Sequence, residues 1–296
     1  MRKLAPDFAA HLASGATTLC TCWRLARTDG IVLGFTDHDA ALAFAGTDYL
    51  PASGGDGSEQ AQKLGGATDT SELVALITST AITDQDIRLG RYGGAIVETF
   101  RVNWRDVAQR HLMRRDRIGE IVLEDKAFRA ELRSAQAALN CKQGRIYQAL
   151  CGTSLGSAAC GIALDNPAYR ASGSVLGIAG TSRLRVAGLS GFDAGWFAFG
   201  RLAWSSGIKH GLIDTIAAHG RDANGDWLEL DGEVGDWVAP GDGFVATAGC
   251  DRLFSTCRER FGNTVNFRGF PHVPGSDFVL TYPKQGEALD GAPLIK

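Results

Sequence analysis

The chain has 296 residues, 45% hydrophobic and 21% charged, with a formal net charge of -3, the profile of an ordinary folded protein. That charge exerts no general pull on nucleic acid or anionic lipid, and no apolar run reaches the roughly 18 residues that suggest a membrane span. Thirty-eight glycines with only eight prolines predict many tight turns between short strands, hence a mainly β fold with a few short helices.

The length leaves room for two domains, each with its own core. Met1-Arg2-Lys3-Leu4 runs into Pro6 and Asp7 rather than into an apolar stretch, so no secretory signal is expected and the chain reads as made in the cytoplasm. In that reducing compartment its seven cysteines are expected to be thiols or metal ligands rather than disulfides.

In chain order, an amphipathic helix is predicted from Pro6 to Ala13, then a strand from Thr17 to Leu25. The turn Thr28-Asp29-Gly30 leads into a second strand, Ile31 to Phe35. Asp37-His38-Asp39 can be imagined as a metal or acid-base group, but carboxylates capping a turn beside a histidine is the simpler reading. Residues Pro51 to Asp69, dense in Gly, Ser and Asp, read as a long surface loop, and Thr70 to Thr78 as a helix capped by Ser71.

Gly94 to Trp104 reads as a strand, and Ile118 to Leu123 with Phe128 to Arg133 as a hairpin that passes into a short helix near Ser134. Six arginines lie between Arg101 and Arg117; with no aromatic residues interleaved in the manner of a base-stacking platform, they suit a solvated or inter-subunit face. Beyond residue 165, short strands are predicted at Ser174 to Ala179, Ser182 to Ala187, Trp196 to Trp204, Asp226 to Leu230 and Gly243 to Thr247, a compact second β domain. Neither a phosphate-binding G-x-x-x-x-G-K-[ST] loop nor a G-x-S-x-G elbow occurs, so nucleotide and hydrolase chemistry have little support.

Four cysteines fall into two pairs: Cys151 and Cys160 with eight residues between, and Cys250 and Cys257 with six. Two thiolates from each of two segments can enclose a metal centre, although neither spacing is that of a zinc ribbon or a bacterial ferredoxin, and four buried thiols are an equal alternative. Gly161 after Cys160 and Gly249 before Cys250 suit a backbone bending around a ligand. On one unbroken helix Cys250 and Cys257 would stand about 10.5 Å apart along the axis, too wide for one zinc ion and less so for a larger cluster. Cys250 is also expected in the turn before the helix rather than on it, and Cys20, Cys22 and Cys141 have no matching partners.

The string from Ala248 to Asn263, followed by Asn266-Phe267-Arg268-Gly269-Phe270-Pro271-His272-Val273-Pro274-Gly275, resembles the C-terminal signature of a tail hub family of phages and gene transfer agents. Its C-terminal domain is similar to that of tail tip protein L of phage lambda, and the nearest resemblance is to the gene-transfer-agent hubs of Rhodobacter-like alphaproteobacteria. Trp23-Arg24-Leu25, Leu33 to Asp39 and Val102-Asn103-Trp104 resemble the N-terminal half of the same family.

The resemblance implies a structural hub rather than an enzyme: residues 1–148 as a tail-tube-like β domain, 149–285 as a smaller β-rich iron-sulfur domain and 286–296 as a tail. It implies a 4Fe-4S cluster on Cys151, Cys160, Cys250 and Cys257. It also implies a homotrimer in the virion, at the tail tip of a phage-like particle, meeting a distal tail ring and a central tip or fibre protein. DNA passes through its channel only, and no stable membrane insertion is expected. The alternative is a redox or cell-wall-hydrolysing tail enzyme.

Overall fold

Alternation of apolar and polar side chains dominates the observed architecture, which is mainly β with a few short helices. The computed structural model describes residues 4–51, 70–76, 82–124, 127–139 and 144–273. The chain divides into two units, residues 1–142 and 143–296.

The first unit opens with helix α1 (Pro6–Ala13), with Pro6 in its first turn, where the missing N–H costs nothing. It continues through β1 (Leu19–Ala26), β2 (Val32–Thr36), β3 (Leu42–Phe44), β4 (Thr47–Pro51), β5 (Thr70–Leu76), α2 (Asp84–Arg88), β6 (Ile96–Asn103), β7 (Arg110–Glu124), β8 (Ala127–Ser134) and α3 (Ala135–Leu139). These strands form one sheet in the order β3-β4-β2-β1-β6-β7-β8-β5, antiparallel except where β2 meets β4. Strand β1 buries both faces. Cys20 and Cys22 pack with Phe44, Tyr49 and Val102, while Trp23 and Leu25 pack with Tyr92, Val97 and Ile118.

Residues 70–76, expected as a helix, are instead β5, paired along β8 from Thr70 opposite Arg133 to Leu76 opposite Ala127. Pairing along the edge of β8 overrides a helical propensity that was weak from the start, because Thr and Val favour strands. The remainder of the predicted loop, residues 52–69, lies outside the described residues, as does Cys141.

In the second unit, β9 (Arg170–Ala179), β10 (Arg183–Ala187), β11 (Arg201–Trp204), β12 (Ile213–Asp222), β13 (Gly225–Leu230) and β14 (Gly243–Thr247) close into an antiparallel barrel, order β10-β13-β12-β11-β14-β9. Closure removes free sheet edges, and the interior is filled by Val175, Leu184, Leu202, Ile216, Leu228 and Phe244. The strand expected from Trp196 begins only at Arg201, because residues 193–199 form turns, with Gly195 and Phe199 at positive φ (85° and 63°). Strand β12 was not anticipated: His219 and Gly220 interrupt its apolar alternation, and it is held by pairing to β11 and β13. Helix α4 (Phe254–Glu259) follows the barrel.

Candidate metal centre

Two segments outside the barrel strands bring the four paired cysteines together. The first runs from residue 144 to Tyr169 and the second follows β14 from Ala248 onward. They are joined by backbone hydrogen bonds from Cys151 N to Arg252 O (2.9 Å), Gly152 N to Arg268 O (3.2 Å) and Ala248 N to Tyr169 O (2.8 Å). Local turns then aim each thiol. Cys160 N donates to Ser157 O at 2.9 Å, and the Ser157 hydroxyl lies 2.8 Å from that of Thr153. Gly161 turns the chain away at φ 75°, a conformation that suits glycine.

Cys250 sits in the bend before α4, as its spacing predicted, and Cys257 lies within the helix. Gly249 passes against the Phe197–Gly200 turn so closely that a Cβ there would lie 1.8 Å from Ala198 O. The Asp251 carboxylate accepts from Leu253 N (2.9 Å) and from the Thr256 hydroxyl (2.8 Å), fixing the approach to the helix.

Cys151, Cys160, Cys250 and Cys257 all line one pocket, walled by Leu155, Ile162, Phe261 and Phe267 and by the polar side chains of Asn263 and Asn266. Cys151, Cys160 and Cys257 are buried, and Cys250 is partly exposed. N–H groups point at three of the sulfurs: Arg252 N at Cys250 Sγ (3.3 Å), Arg268 N at Cys151 Sγ (3.4 Å) and Asn263 Nδ2 at Cys160 Sγ (3.7 Å). Burial pushes the Cys250 and Cys257 thiols above their ordinary pKa, and the neighbouring cysteines push in the same direction.

Among the described residues, no three Cys, His, Asp or Glu side chains stand close enough to hold a metal ion. The pocket gathers four sulfurs among mostly apolar walls. Asn263, Asn266, Arg252 and Arg268 complete the surroundings. All four fall inside the 248–275 string, but nothing in the sequence assigned them a role, because their contacts depend on the approach of the distant Cys151 segment.

The remaining candidates disperse. Cys20 and Cys22 lie in β1 of the first unit, where their thiols donate to Val102 O (3.6 Å) and Thr36 Oγ1 (3.5 Å). Asp37 accepts from Thr21 N at 2.7 Å, and His38 Nδ1 accepts from Ala40 N at 3.0 Å with its ring against Trp104, which is turn capping. Of the six arginines, Arg114 is buried on Asp116 through two hydrogen bonds of 3.0 Å, and Arg115 and Arg117 point out from β7.

Two family models match the chain. Residues 5–163 match "Baseplate hub protein, N-terminal attachment domain", a span that includes Cys151 and Cys160. Residues 195–277 match the phage conserved hypothetical protein BR0599, a span that includes Cys250 and Cys257. A chain in the structure of the virion of a native gene transfer agent (GTA) particle is similar over 98% of this chain and 100% of its own length, with 40% identity and a TM-score of 0.87. No curated protein matches the sequence. More than half of the chain fits the first model and nearly all of it aligns with the virion chain, so the protein belongs to the baseplate hub family.

Proposed function

We propose that the protein is a structural hub at the tail tip of a phage-like gene-transfer particle, a homotrimer that joins the distal tail ring to the central tip protein. The observation that carries this reading is the end-to-end similarity to a chain of a gene transfer agent virion. Such a protein acts by presenting surfaces; Asp37 and His38 cap a turn, and the exposed Asp39 carboxylate lies 3.0 Å from the His38 ring.

In the same reading, Cys151, Cys160, Cys250 and Cys257 hold a 4Fe-4S cluster within residues 149–285. The residues fit it: four sulfurs line one pocket, no acidic or histidine side chain is among its described lining residues, and backbone N–H groups point at two of the sulfurs. When bound, the cluster supplies a covalent cross-link between two chain segments and a site for one-electron exchange. The chain's own residues keep the site dry through Phe261 and Phe267 and hold the two segments in register through Asn263.

Electron microscopy of particles from a deletion strain, with a cell-wall degradation assay on the purified chain, tests the hub reading. The expected result is tails without tips, no DNA delivery and no cleavage. Complete tips, or robust cleavage, would overturn it.

A further inference from the structure

Strand β7 carries Arg115 and Arg117 on its outer face, and β8 brings Arg133 directly opposite Arg117. Like charges directly opposite each other across two strands are destabilising, so this pair lowers the stability of the sheet that holds it. Glu98 approaches Arg115 at 3.5 Å and Glu131 takes Arg133 at 2.8 Å, whereas Arg117 has no carboxylate partner among the described residues. The three arginines line a pocket of about 550 Å³ together with Ile96, Asp116 and Ser134. Asp116 brings no free negative charge, because the buried Arg114 already binds both its oxygens. The hydroxyl of Ser134 is buried without a hydrogen-bond partner among the described residues.

We propose that this pocket is a phosphate-binding site. Arginines that line one pocket from two strands suit a tetrahedral oxyanion, which accepts from several donors at once, better than a carboxylate, which one fork satisfies. Cross-strand neighbours lie about 5 Å apart and i, i+2 neighbours about 7 Å apart, so one phosphate can reach Arg117 and either Arg115 or Arg133. Ser134 supplies a further donor, and Ile96 forms an apolar wall. Stacking aromatics are not required, because a phosphate contact reads charge and not bases. The shared chemistry leaves two sources, a free phosphate and the phosphodiester of a nucleic acid.

Titration of the full chain with inorganic phosphate at constant ionic strength, followed by calorimetry, tests the site. Saturable binding is expected, weakened at least tenfold in Arg117→Glu and unchanged in Arg170→Glu, a charge-matched control on β9 of the second unit. Among the described residues Arg117 forms no ion pair, and its replacement by Glu relieves the like-charge contact with Arg133, so the variant is expected to melt no lower than wild type. A single-stranded oligonucleotide separates the sources. Affinity at least tenfold above that for phosphate, with a salt dependence that shrinks by about 0.7 per lost contact, assigns the site to phosphodiester. Equal affinity assigns it to the free anion. Absence of saturable binding by either probe, or equal weakening in both variants, overturns the proposal.

Discussion

Asn263 ties the second cysteine segment to the first, its side-chain amide donating to the carbonyl oxygen of Cys160 at 2.7 Å. Its own carbonyl accepts the Cys257 thiol at 3.3 Å, and its side-chain oxygen accepts from Asn266 at 2.7 Å.

Replacing Asn263 by Ala removes the donor and leaves the Cys160 carbonyl and the Asn266 amide unpaired. Both bonds are partly buried, so their loss costs about 1–2 kcal/mol. The Asn263→Ala chain is therefore expected to unfold its second unit at lower denaturant, whereas Val265→Ala, at a side chain 92% exposed, stays within about 0.5 kcal/mol of wild type. Chemical denaturation of both variants checks the contrast.

Gly249 is a sharper test of the turn that carries Cys250. A methyl group there meets Ala198 O at 1.8 Å and Gly200 N at 2.3 Å, both backbone atoms, so the chain must move. Gly249→Ala is expected to cost at least about 3 kcal/mol. Gly177→Ala, where nothing lies within 4 Å of the added carbon, is expected to be neutral or slightly stabilising. Melting temperatures of the two variants should separate widely.

Arg27 carries the electrostatics of the first unit. Its side chain is 3% exposed and pairs with Asp29 and, at 3.0 Å, with Asp86, while Arg91 reaches both carboxylates. Burial pushes the Asp29 carboxyl up, but hydrogen bonds from Arg27 and the Ile31 N–H, with the charges of Arg27 and Arg91, hold it below the ordinary value. A lowered folded-state pKa contributes stability above the unfolded value of about 4, which is lost as pH falls through the folded one. Arg27→Ala is expected to cost about 2–3 kcal/mol at pH 7 and to flatten this acid dependence below pH 4. That cost lies below the range for a fully buried pair because Asp29 and Asp86 are 31% and 26% exposed. Stability measured from pH 3 to pH 7 checks both.

His219 gives the second unit a different pH response. Its Nδ1 accepts from Phe197 N at 3.4 Å, its Nε2 is buried without a partner among the described residues, and burial lowers its pKa, with Asp226 opposing and Arg221 adding to the shift. The unfolded chain takes up a proton near pH 6.5 that the folded chain refuses, so stability falls as pH drops through that value. Calorimetry between pH 7.5 and 5.5 should show a falling transition for wild type and a flatter one for His219→Gln.

Legibility in the sequence followed the range of the forces. Strands with local alternation, such as β1, β6 and β14, and the turn at Asp29-Gly30 could be read directly, because period and turn chemistry are written within a few residues. Residues 70–76 and β12 could not. Their conformation is imposed by partners 50 or more residues away for β5 and by barrel closure for β12. The four cysteines were legible as two pairs, and Cys250 as a bend before a helix. Their meeting in one pocket depends on the backbone bond from Cys151 N to Arg252 O, which spacing alone does not encode.

The proposed iron-sulfur cluster on Cys151, Cys160, Cys250 and Cys257 is tested most directly by metal and acid-labile sulfide analysis of anaerobically purified protein. About four irons and four sulfides per chain are expected, with broad absorbance near roughly 400 nm. Serine at any one of the four cysteines should remove or sharply reduce that content and loosen the second unit, while serine at Cys20 or Cys22 should leave it intact. Stoichiometric zinc without sulfide, or equal effects from all six substitutions, would overturn the cluster assignment.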